Sequence, residues 1–466
     1  MEQHILCDRC FDGEKYLSGP LSILIRDGRI ADVGPAGEEI LSLAGRRDAS
    51  GRPVLDLRGA LVMPGLINTH THIVRGGMFR VDEPFSVGQA VANLCTCLAA
   101  GVTTVGDMGC TAGLITALRD HLARRPGAGP SIVCCGPMLT TPGGYPLDWM
   151  PRTYELLGTA VAMRNAEDAR KAVRRLCSQG VDHIKLSVMH RSYADRPLPA
   201  LPVPVARAAV EAAHAAGKKA LSHAHSIGDY EVSLDAGADA LMHSSFELIS
   251  PDLAKRVRDA GIPVCPTLWC FSGVLAGVEK RLDRNPAYTG LVAPAISRDW
   301  EKFCEGFLSS GDLIPPGTAA AGLPKARARE GVENAEKNLA LLVRHGVPIA
   351  FGNDGAYGFC LPGRPVDELL AMERAGMATE DVLAAATKNA AELLGLNDRG
   401  RIAKGLRADI LAVSPETEKS VAGIEKVRAV FHAGLRVEPP RAGDRTRTAL
   451  AILGGFAKTL VWAIGR

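Results

Sequence analysis

The sequence predicts an α/β protein in which a (β/α)8 TIM barrel carries a small β domain built from both chain ends. Eight short apolar segments between residues 61 and 354 predict strands, and amphipathic patterns such as 166–177 and 205–216 predict helices between them. A glycine repeatedly ends a helical stretch just before the next apolar segment, as Gly180 and Gly217 do. This alternation of strand and helix favours parallel pairing of the strands.

The eight predicted strands cover residues 66–72, 103–108, 131–135, 183–188, 219–223, 240–243, 263–268 and 348–354. Eight such units fit a (β/α)8 barrel, whose reactive groups gather at the C-terminal ends of the strands. An open doubly wound sheet is the alternative, but the sequence lacks the glycine-rich fingerprint expected there. The irregular segments 142–158, 191–203 and 271–331 are predicted to surround the barrel mouth and to select the substrate.

The sequence pattern at the two ends of the chain differs from that of its middle. Residues 1–58 and 401–440 contain alternating strand patterns separated by turn residues, which predict one β domain, with residues 59–400 as the barrel. The tail, 441–466, contains an apolar stretch at 448–464, which is interrupted by Gly454-Gly455 and is shorter than the ~20 apolar residues that a membrane span needs. We therefore expect no membrane span and a packing helix that contributes to a homo-oligomer.

Composition narrows the class of protein further. Over 466 residues, 54 basic and 51 acidic side chains give a net charge of +3 without a long basic run, so nucleic acid is not an expected partner. The N-terminal residues do not resemble a secretory signal, which predicts a cytoplasmic location. The twelve cysteines are scattered, mostly in apolar segments, as expected of reduced core thiols, and the C-x-x-C of Cys7 and Cys10 lacks a second pair.

Histidines and a lysine near strand ends point to a metal site. His70 and His72 are two apart on the first predicted strand, so their side chains face the same side. Lys185 would place an ammonium group in an apolar strand, which requires either a salt bridge or reaction with carbon dioxide to an anionic carbamate. His223 and His225 repeat the two-residue spacing, and His243 ends the next strand.

Asp354 closes the eighth predicted strand, where its carboxylate can take a proton from metal-bound water and give it to a leaving nitrogen. The set of four histidines (His70, His72, His223 and His243), Lys185 and Asp354 suits a borderline divalent ion such as zinc, although another divalent metal remains open. Such an ion lowers the pKa of bound water to ~7 and polarises a carbonyl. These residues therefore predict hydrolysis.

The chain resembles the amidohydrolase superfamily, specifically its imidazolonepropionase and prolidase-like branch. The motifs that carry the resemblance lie at 62–72, 100–105, 217–225, 346–355, 386–395, 400–402 and 408–410, within a stretch of about residues 15–437. The resemblance implies two zinc ions, with His70 and His72 on one, His223 and His243 on the other, N-carboxylated Lys185 as bridge and Asp354 as ligand and acid/base. It also implies that His225 either supports a metal ligand or contacts the substrate, and that the two chain ends form a composite β-sandwich.

Two departures from the family pattern bear on the substrate. Peptidase-like members usually carry Gly-Gly-His after the third strand, whereas this chain has Gly143-Gly144-Tyr145, whose phenol can still polarise a carbonyl. The Gly-Gly pair that often follows the strand-four lysine is replaced here by residues 187–190, Ser-Val-Met-His. We therefore do not expect an ordinary proline dipeptidase.

The leading hypothesis is a metal-dependent hydrolase of an amide or peptide-like C–N bond, in which metal-activated water attacks a small-molecule or peptide-like substrate. Asp354 is the predicted acid/base, and His225 and Tyr145 are the predicted catalytic partners that stabilise the oxyanion. The alternative is a cyclic amide or amidine hydrolase, or a deaminase, of the imidazolonepropionase type, whose mononuclear relatives normally lack Lys185. A remote third hypothesis is a non-enzymatic scaffold, which predicts lost ligands, and none is lost.

Overall fold

The computed structural model describes residues 2–76, 86–150, 158–309, 323–355, 357–438 and 442–464, with backbone only at 306–309 and 461–464. The strands of these residues, β1 to β17 in chain order, are Glu2–Phe11, Tyr16–Arg26, Arg29–Pro35, Val54–Asp56, Leu61–Pro64, Leu66–Thr71, Val102–Asp107, Ser131–Cys134, Met138–Thr140, Ala160–Ala162, Ile184–Ser187, Ala220–His223, Ala240–Met242, Val264–Cys265, Ile410–Val413, Ala429–His432 and Leu435–Arg436.

The helices alternate with the central strands. In the described part of the chain they are Glu38–Ser42, Val87–Ala99, Ala112–Ala123, Ala166–Ser178, Val203–Ala215, Ile227–Ala236, Pro251–Asp259, Trp269–Glu279, Pro286–Thr289, Pro294–Ser309, Lys325–Arg344, Pro365–Arg374, Thr379–Ala385, Lys388–Leu393 and Ala442–Ile464. Short 3-10 turns lie at Leu282–Arg284, Pro415–Glu418 and Val421–Glu425.

The central strands form two parallel sheets. One has the order β6-β7-β8, the other β10-β9-β11-β12-β13-β14, and every pairing within them is parallel. The first seven predicted segments therefore each contain a strand. The seventh is only two residues long, Val264–Cys265, because Pro263 and Pro266 flank it and proline cannot donate to a ladder.

The eighth predicted segment joins both sheets without forming a continuous strand. Ile349 makes a parallel bridge to Val264, and Gly355 makes one to Thr71. Between them the backbone N–H of Thr69 donates to the carbonyl of Phe351 at 2.9 Å. The prediction of a regular strand at 348–354 is wrong: the segment makes isolated bridges near its two ends, and its last residue, Asp354, has φ +50°, outside the extended region.

A third sheet combines strands from both chain ends. Its order is β17-β16-β15-β5-β1-β2-β3, with β4 beside β1, and it mixes parallel and antiparallel pairs. A separate apolar cluster, which includes Ile5, Ile23, Ile410 and Phe431, packs within it. β5 lies past the predicted boundary at residue 58 and still belongs to this sheet. The two ends therefore pair as the sequence suggests, while the domain limits stay a prediction.

The cysteines are free thiols, and ten of the twelve are buried. Cys7 and Cys10 are fully buried in β1, and burial raises the pKa of both, that of Cys7 to about 12. A protonated buried thiol is a poor nucleophile and metal ligand. This agrees with the prediction of core thiols rather than a redox or zinc pair.

The tail forms the helix Ala442–Ile464, which packs on the helix Ala112–Ala123. The Thr459 and Thr111 hydroxyls lie 3.0 Å apart at this contact. The Gly454-Gly455 pair does not break the helix. A Cβ on Gly455 would lie 2.8 Å from Leu114 Cα, so glycine allows the close approach of the two helices. Among the described residues, no helix is both long and apolar enough to traverse a bilayer.

Candidate metal centre

The predicted metal-ligating side chains come together at the C-terminal ends of the central strands. His70 lies on β6, Lys185 on β11 and His223 at the end of β12, while His243 directly follows β13. Each of these four side chains is buried. The C-terminal ends of parallel strands meet on one side of such a fold, so the short apolar strands bring residues far apart in sequence into one place.

Asp354 is the common neighbour of three histidines. Its Oδ1 atom lies 3.3 Å from His70 Nε2 and 3.2 Å from His72 Nε2, and its Oδ2 atom lies 4.0 Å from His243 Nδ1. Burial would raise the pKa of Asp354, but His70 and His72 outweigh it and hold that pKa below its usual range. Asp354 is therefore an anion that the histidines surround.

The second pair of histidines packs face to edge beside this group. The ring centroids of His223 and His243 are 4.3 Å apart, and that of His70 is 4.7 Å from His243. Thr267 Oγ1 lies 2.7 Å from His243 Nδ1, which fixes the ring. Tyr145 stacks on His223 at 4.6 Å. The structure thus places Tyr145 next to one of the predicted ligands, and its catalytic role stays a prediction.

Lys185 is fully buried, and its Nζ atom has no hydrogen-bond partner among the described residues. Burial lowers its pKa to about 8. Burial, and then the charge of Lys185, also lower the pKa of His70 and His243 well below the usual value. The salt bridge considered from the sequence is not found in the described chain, so the lysine needs another source of compensation.

Buried nitrogens without a hydrogen-bond partner indicate whether a metal ion would fit at this site. Within the described part of the chain, four buried nitrogens have no hydrogen-bond partner: His70 Nδ1, Lys185 Nζ, His223 Nε2 and His243 Nε2. One ligand atom from each of His70, His243 and Asp354 lies within 4.8 Å of the others. Buried polar atoms normally have partners. Imidazole and carboxylate donors so grouped fit a divalent metal ion.

Backbone strain is concentrated at the same place. His243 has φ +84°, Thr267 φ +47° and Asp354 φ +50°, a region that side-chain-bearing residues rarely adopt. Such conformations cost on the order of 1–3 kcal/mol each and cluster at functional sites. No sequence pattern marks these three positions.

Two asparagines that sequence reasoning missed tie the first segment to the last. Asn68 Nδ2 donates to Asn353 Oδ1 at 2.8 Å, and Asn68 Oδ1 accepts from the backbone N–H of His70 at 3.2 Å. Both are fully buried. Their position in the sequence could have indicated them, because Asn68 lies two residues before His70 and Asn353 directly precedes Asp354. They hold His70 and Asp354 in register.

An aromatic wall, defined as Tyr193, Phe246 and Phe271, lies beside the site. The three rings contact one another with centroids 4.6 to 5.6 Å apart, and Tyr193 lies 4.5 Å from His225. Together with His225 and His243 they line one pocket. Tyr193 and Phe271 come from segments predicted to surround the mouth. The segment 271–331 is less irregular than predicted, since helices cover 269–279, 286–289, 294–309 and 325–344. Residues 151–157 and 310–322 of the predicted mouth segments lie outside the described residues.

Residues 61–437 match the Amidohydrolase family, which covers most of the chain. The chain belongs to the amidohydrolase family. It is therefore an enzyme that acts on carbon–nitrogen bonds. The match begins at β5 and ends just after β17, so it includes the parallel sheets, the candidate metal centre and part of the sheet from the chain ends.

Known amidohydrolases are similar over nearly the whole length. An imidazolonepropionase of Ruegeria sp. is 29% identical over 403 residues, covering 83% of this chain and 86% of that protein. One from Rubrobacter xylanophilus is 27% identical over 444 residues, covering 92% and 93%. A solved Xaa-Pro dipeptidase superposes with a TM-score of 0.74 at 21% identity, covering 94% of this chain and all of that chain. The comparisons support the TIM-barrel-like α/β fold.

Proposed function

We propose that this amidohydrolase is a metal-dependent hydrolase that cleaves an amide or peptide-like C–N bond, with its site at the mouth of a closed (β/α)8 barrel that carries a composite β-sandwich. Two observations carry the proposal together: His70, Lys185, His223 and His243 each have a buried nitrogen without a hydrogen-bond partner among the described residues, and the Asp354 carboxylate lies within 4.0 Å of His70, His72 and His243. A purely structural cluster would leave these groups desolvated without compensation, which is costly.

The proposed site holds two metal ions. His70 and His72 would hold one, His223 and His243 the other, with Asp354 as a further ligand and Lys185 as a carbamate between them. The lowered pKa of Lys185, about 8, supports the carbamate, because the neutral amine is the form that adds to carbon dioxide. The nitrogen loses a proton in this reaction, and the product is an anionic carbamate. Zinc, or another divalent ion in its place, would supply Lewis acidity toward a carbonyl and toward water.

Side chains of the protein would accept and donate the protons of the reaction. Asp354, held as an anion, would accept a proton from the attacking water and return it to the leaving nitrogen. Burial, and after it the charge of Asp354, raise the pKa of Tyr145 well above its usual value, so its phenol keeps its proton and can donate to the oxyanion. His225 would contact the substrate from the side of the aromatic wall.

The pocket supports a small-molecule or peptide-like amide. Tyr193, Phe246 and Phe271 offer an apolar surface on which one side of the substrate can lie. A second candidate is hydrolysis of a cyclic amide or amidine, favoured by the similarity to imidazolonepropionases over more than four-fifths of the chain. The presence of Lys185 argues against its deaminase form. The scaffold hypothesis is disfavoured because every predicted ligand is present.

The remaining parts of the proposal concern the setting of the enzyme. A cytoplasmic location is supported by the free, mostly buried cysteines, and a partner other than nucleic acid is supported by the near balance of 54 basic and 51 acidic side chains. A homo-oligomer is supported by Leu450, Leu453 and Leu460, which are exposed along one side of the C-terminal helix.

Metal analysis and a substrate screen test the proposal together. Purified protein would be assayed for zinc, manganese, iron and cobalt, and then screened against dipeptides, N-acyl amino acids, aryl amides and cyclic amides. We expect about two metals per chain and hydrolysis that chelation abolishes. Asp354→Asn should lower the rate about 10²–10⁴-fold. His214→Gln, at an exposed residue of the helix Val203–Ala215, is the control and should behave as wild type. A metal-free protein with an unaffected Asp354→Asn variant would contradict the proposal.

A further inference from the structure

Asp229 joins two histidines that lie at different depths. It belongs to the first turn of the helix Ile227–Ala236 and is fully buried. Its Oδ1 atom lies 2.6 Å from His190 Nδ1, and its Oδ2 atom lies 3.1 Å from His225 Nδ1. The His190 side chain is 36% exposed, whereas that of His225 is 5% exposed. One carboxylate thus connects the pocket to its rim.

The carboxylate itself is held from several sides. The backbone N–H of His190 donates to Oδ1 at 3.2 Å, and the backbone N–H of His225 donates to Oδ2 at 3.1 Å. Burial alone would raise the pKa of Asp229, but the hydrogen bonds from His190 and His225 hold it below its usual range. Asp229 is therefore a fixed anion with little freedom to reorient.

His225 presents its other ring nitrogen to the pocket. It lines the pocket with Tyr193 and His243, and its ring centroid is 6.2 Å from that of His223. Because Nδ1 faces Asp229, Nε2 is the nitrogen left for a bound molecule. The Nδ1 contact has the distance of an ion pair but does not meet the geometry of a hydrogen bond.

We propose that Asp229 is a positioning residue that keeps His225 in the Nδ1-protonated tautomer with Nε2 toward the pocket, and that His190 secures the outer oxygen of the same carboxylate. A carboxylate on one imidazole nitrogen fixes which nitrogen carries the proton and how the ring is turned. This leaves His225 Nε2 as an acceptor for a substrate N–H or a water proton. The kinetic consequence rests on the proposed function; the tautomer does not.

The His190 ring is held in place by its contact with Gly228. A Cβ at Gly228 would lie 2.7 Å from His190 Cε1, so the ring lies directly on the helix backbone. Ser226 adds to the arrangement, because its Oγ atom accepts from the Asp229 backbone N–H at 3.2 Å. The outer histidine, the helix start and the carboxylate form one connected group.

The tautomer can be read directly from imidazole ¹⁵N spectra of the zinc-loaded, histidine-labelled full-length protein. His225→Asn identifies the His225 signals. We expect wild-type His225 to be protonated on Nδ1, and Asp229→Asn to shift it toward the Nε2-protonated form. His190→Gln should leave the same tautomer with a smaller change. Asp239→Asn, which faces the exposed His214 at 2.8 Å, is the matched control and should leave His225 unchanged.

A wild-type His225 protonated on Nε2 would overturn the inference even if Asp229→Asn failed to fold, as would His225 signals that do not respond to Asp229→Asn. On an amide identified by the screen, Asp229→Asn should lower kcat about 10- to 100-fold. KM should change less than kcat, and zinc content should stay at the wild-type value. Equal losses in the Asp239→Asn control would also overturn it. If no amide is hydrolysed, the proposed function fails while the spectra still decide the role of Asp229.

Discussion

The Oδ1 atom of Asp354 lies 3.2 Å from the Nε2 atom of His72. These residues belong to the last and the first of the eight central segments, and backbone hydrogen bonds hold the two segments together, including one of 2.8 Å from the Asp354 N–H to the His70 carbonyl. Three of the predicted ligands, His70, His72 and Asp354, are therefore brought together by the contact between these two segments. Any change that alters this contact should alter metal binding.

Lys185→Met should lower the metal content. Methionine keeps the apolar stem and removes the amine that would form the carbamate, so we expect about two metals per chain to fall to one or fewer. Wild-type protein reconstituted with zinc and bicarbonate should bind more metal than protein reconstituted without bicarbonate, and the variant should not respond. Plasma emission spectrometry measures both. A variant that retains the wild-type metal count, with or without bicarbonate, would contradict the bridging role.

Gly352→Ala should weaken both stability and metal binding. A Cβ there would lie 2.5 Å from Cys265 Sγ and 2.7 Å from the backbone nitrogen of His70, so the first and last segments would have to separate. Overpacking of this kind costs about 1–3 kcal/mol. Thermal unfolding with and without zinc measures the two effects. Gly454→Ala is the control, because a Cβ there meets nothing within 4 Å among the described residues. It should leave zinc binding unchanged and should not lower stability, since alanine is favoured over glycine inside a helix by about 0.5–1 kcal/mol.

Glu368→Leu should destabilise the wall of the site. The carboxylate is fully buried and accepts the backbone N–H groups of Leu268 at 2.8 Å and Trp269 at 2.6 Å, at the start of the helix Trp269–Glu279. Leaving a buried donor unpaired costs about 1–3 kcal/mol, and Thr267, which contacts His243, directly precedes these residues. Glu368→Gln keeps an acceptor oxygen and should lose less. Denaturant unfolding of both variants checks the order; equal losses would contradict the capping role.

His432 should make the protein less stable as the pH falls. Its ring is buried, with Arg407 Nη2 2.7 Å from Nε2. Burial lowers its pKa from 6.5 to about 4. Because the folded pKa lies below the unfolded one, the unfolded chain binds the proton first. The stabilisation is complete above pH 6.5 and is lost as the pH falls toward 4, by about 3 kcal/mol at most.

Thermal unfolding between pH 7.5 and 4.5 measures this dependence. His432→Asn should show a shallower fall of Tm with pH than the wild type, while His214→Gln, on the exposed side chain, should match the wild type. A His432→Asn slope equal to that of the wild type would mean that other groups produce the acid sensitivity.

Much of the fold follows from local sequence. Apolar runs with glycine just before them marked the strands from Leu66–Thr71 to Val264–Cys265, because hydrophobic periodicity and the ends of helices are recorded in the local sequence. The eighth segment was predicted as a regular strand and is not one. Its course depends on a left-handed Asp354 and on contacts with two neighbouring segments, neither of which a local pattern records.

The residue types of the site were also readable from sequence. Histidine, lysine and aspartate at strand ends are unusual enough to stand out, and His70, His72 and Asp354 do meet. Asp229 was not found, because its helix position looks like an ordinary capping residue. Only its distance from two imidazoles distinguishes it.

By itself the sequence determined the chemistry that is available: which side chains can ligate, which segments alternate, and which family the chain resembles. The tertiary structure decided which of those groups share one desolvated space. The Lys185 amine has no hydrogen-bond partner among the described residues, and the Asp354 carboxylate lies within 4.0 Å of three histidines. The physical reason is that ligand and proton chemistry depend on distances of a few ångströms between residues far apart in the chain, and only packing sets those distances.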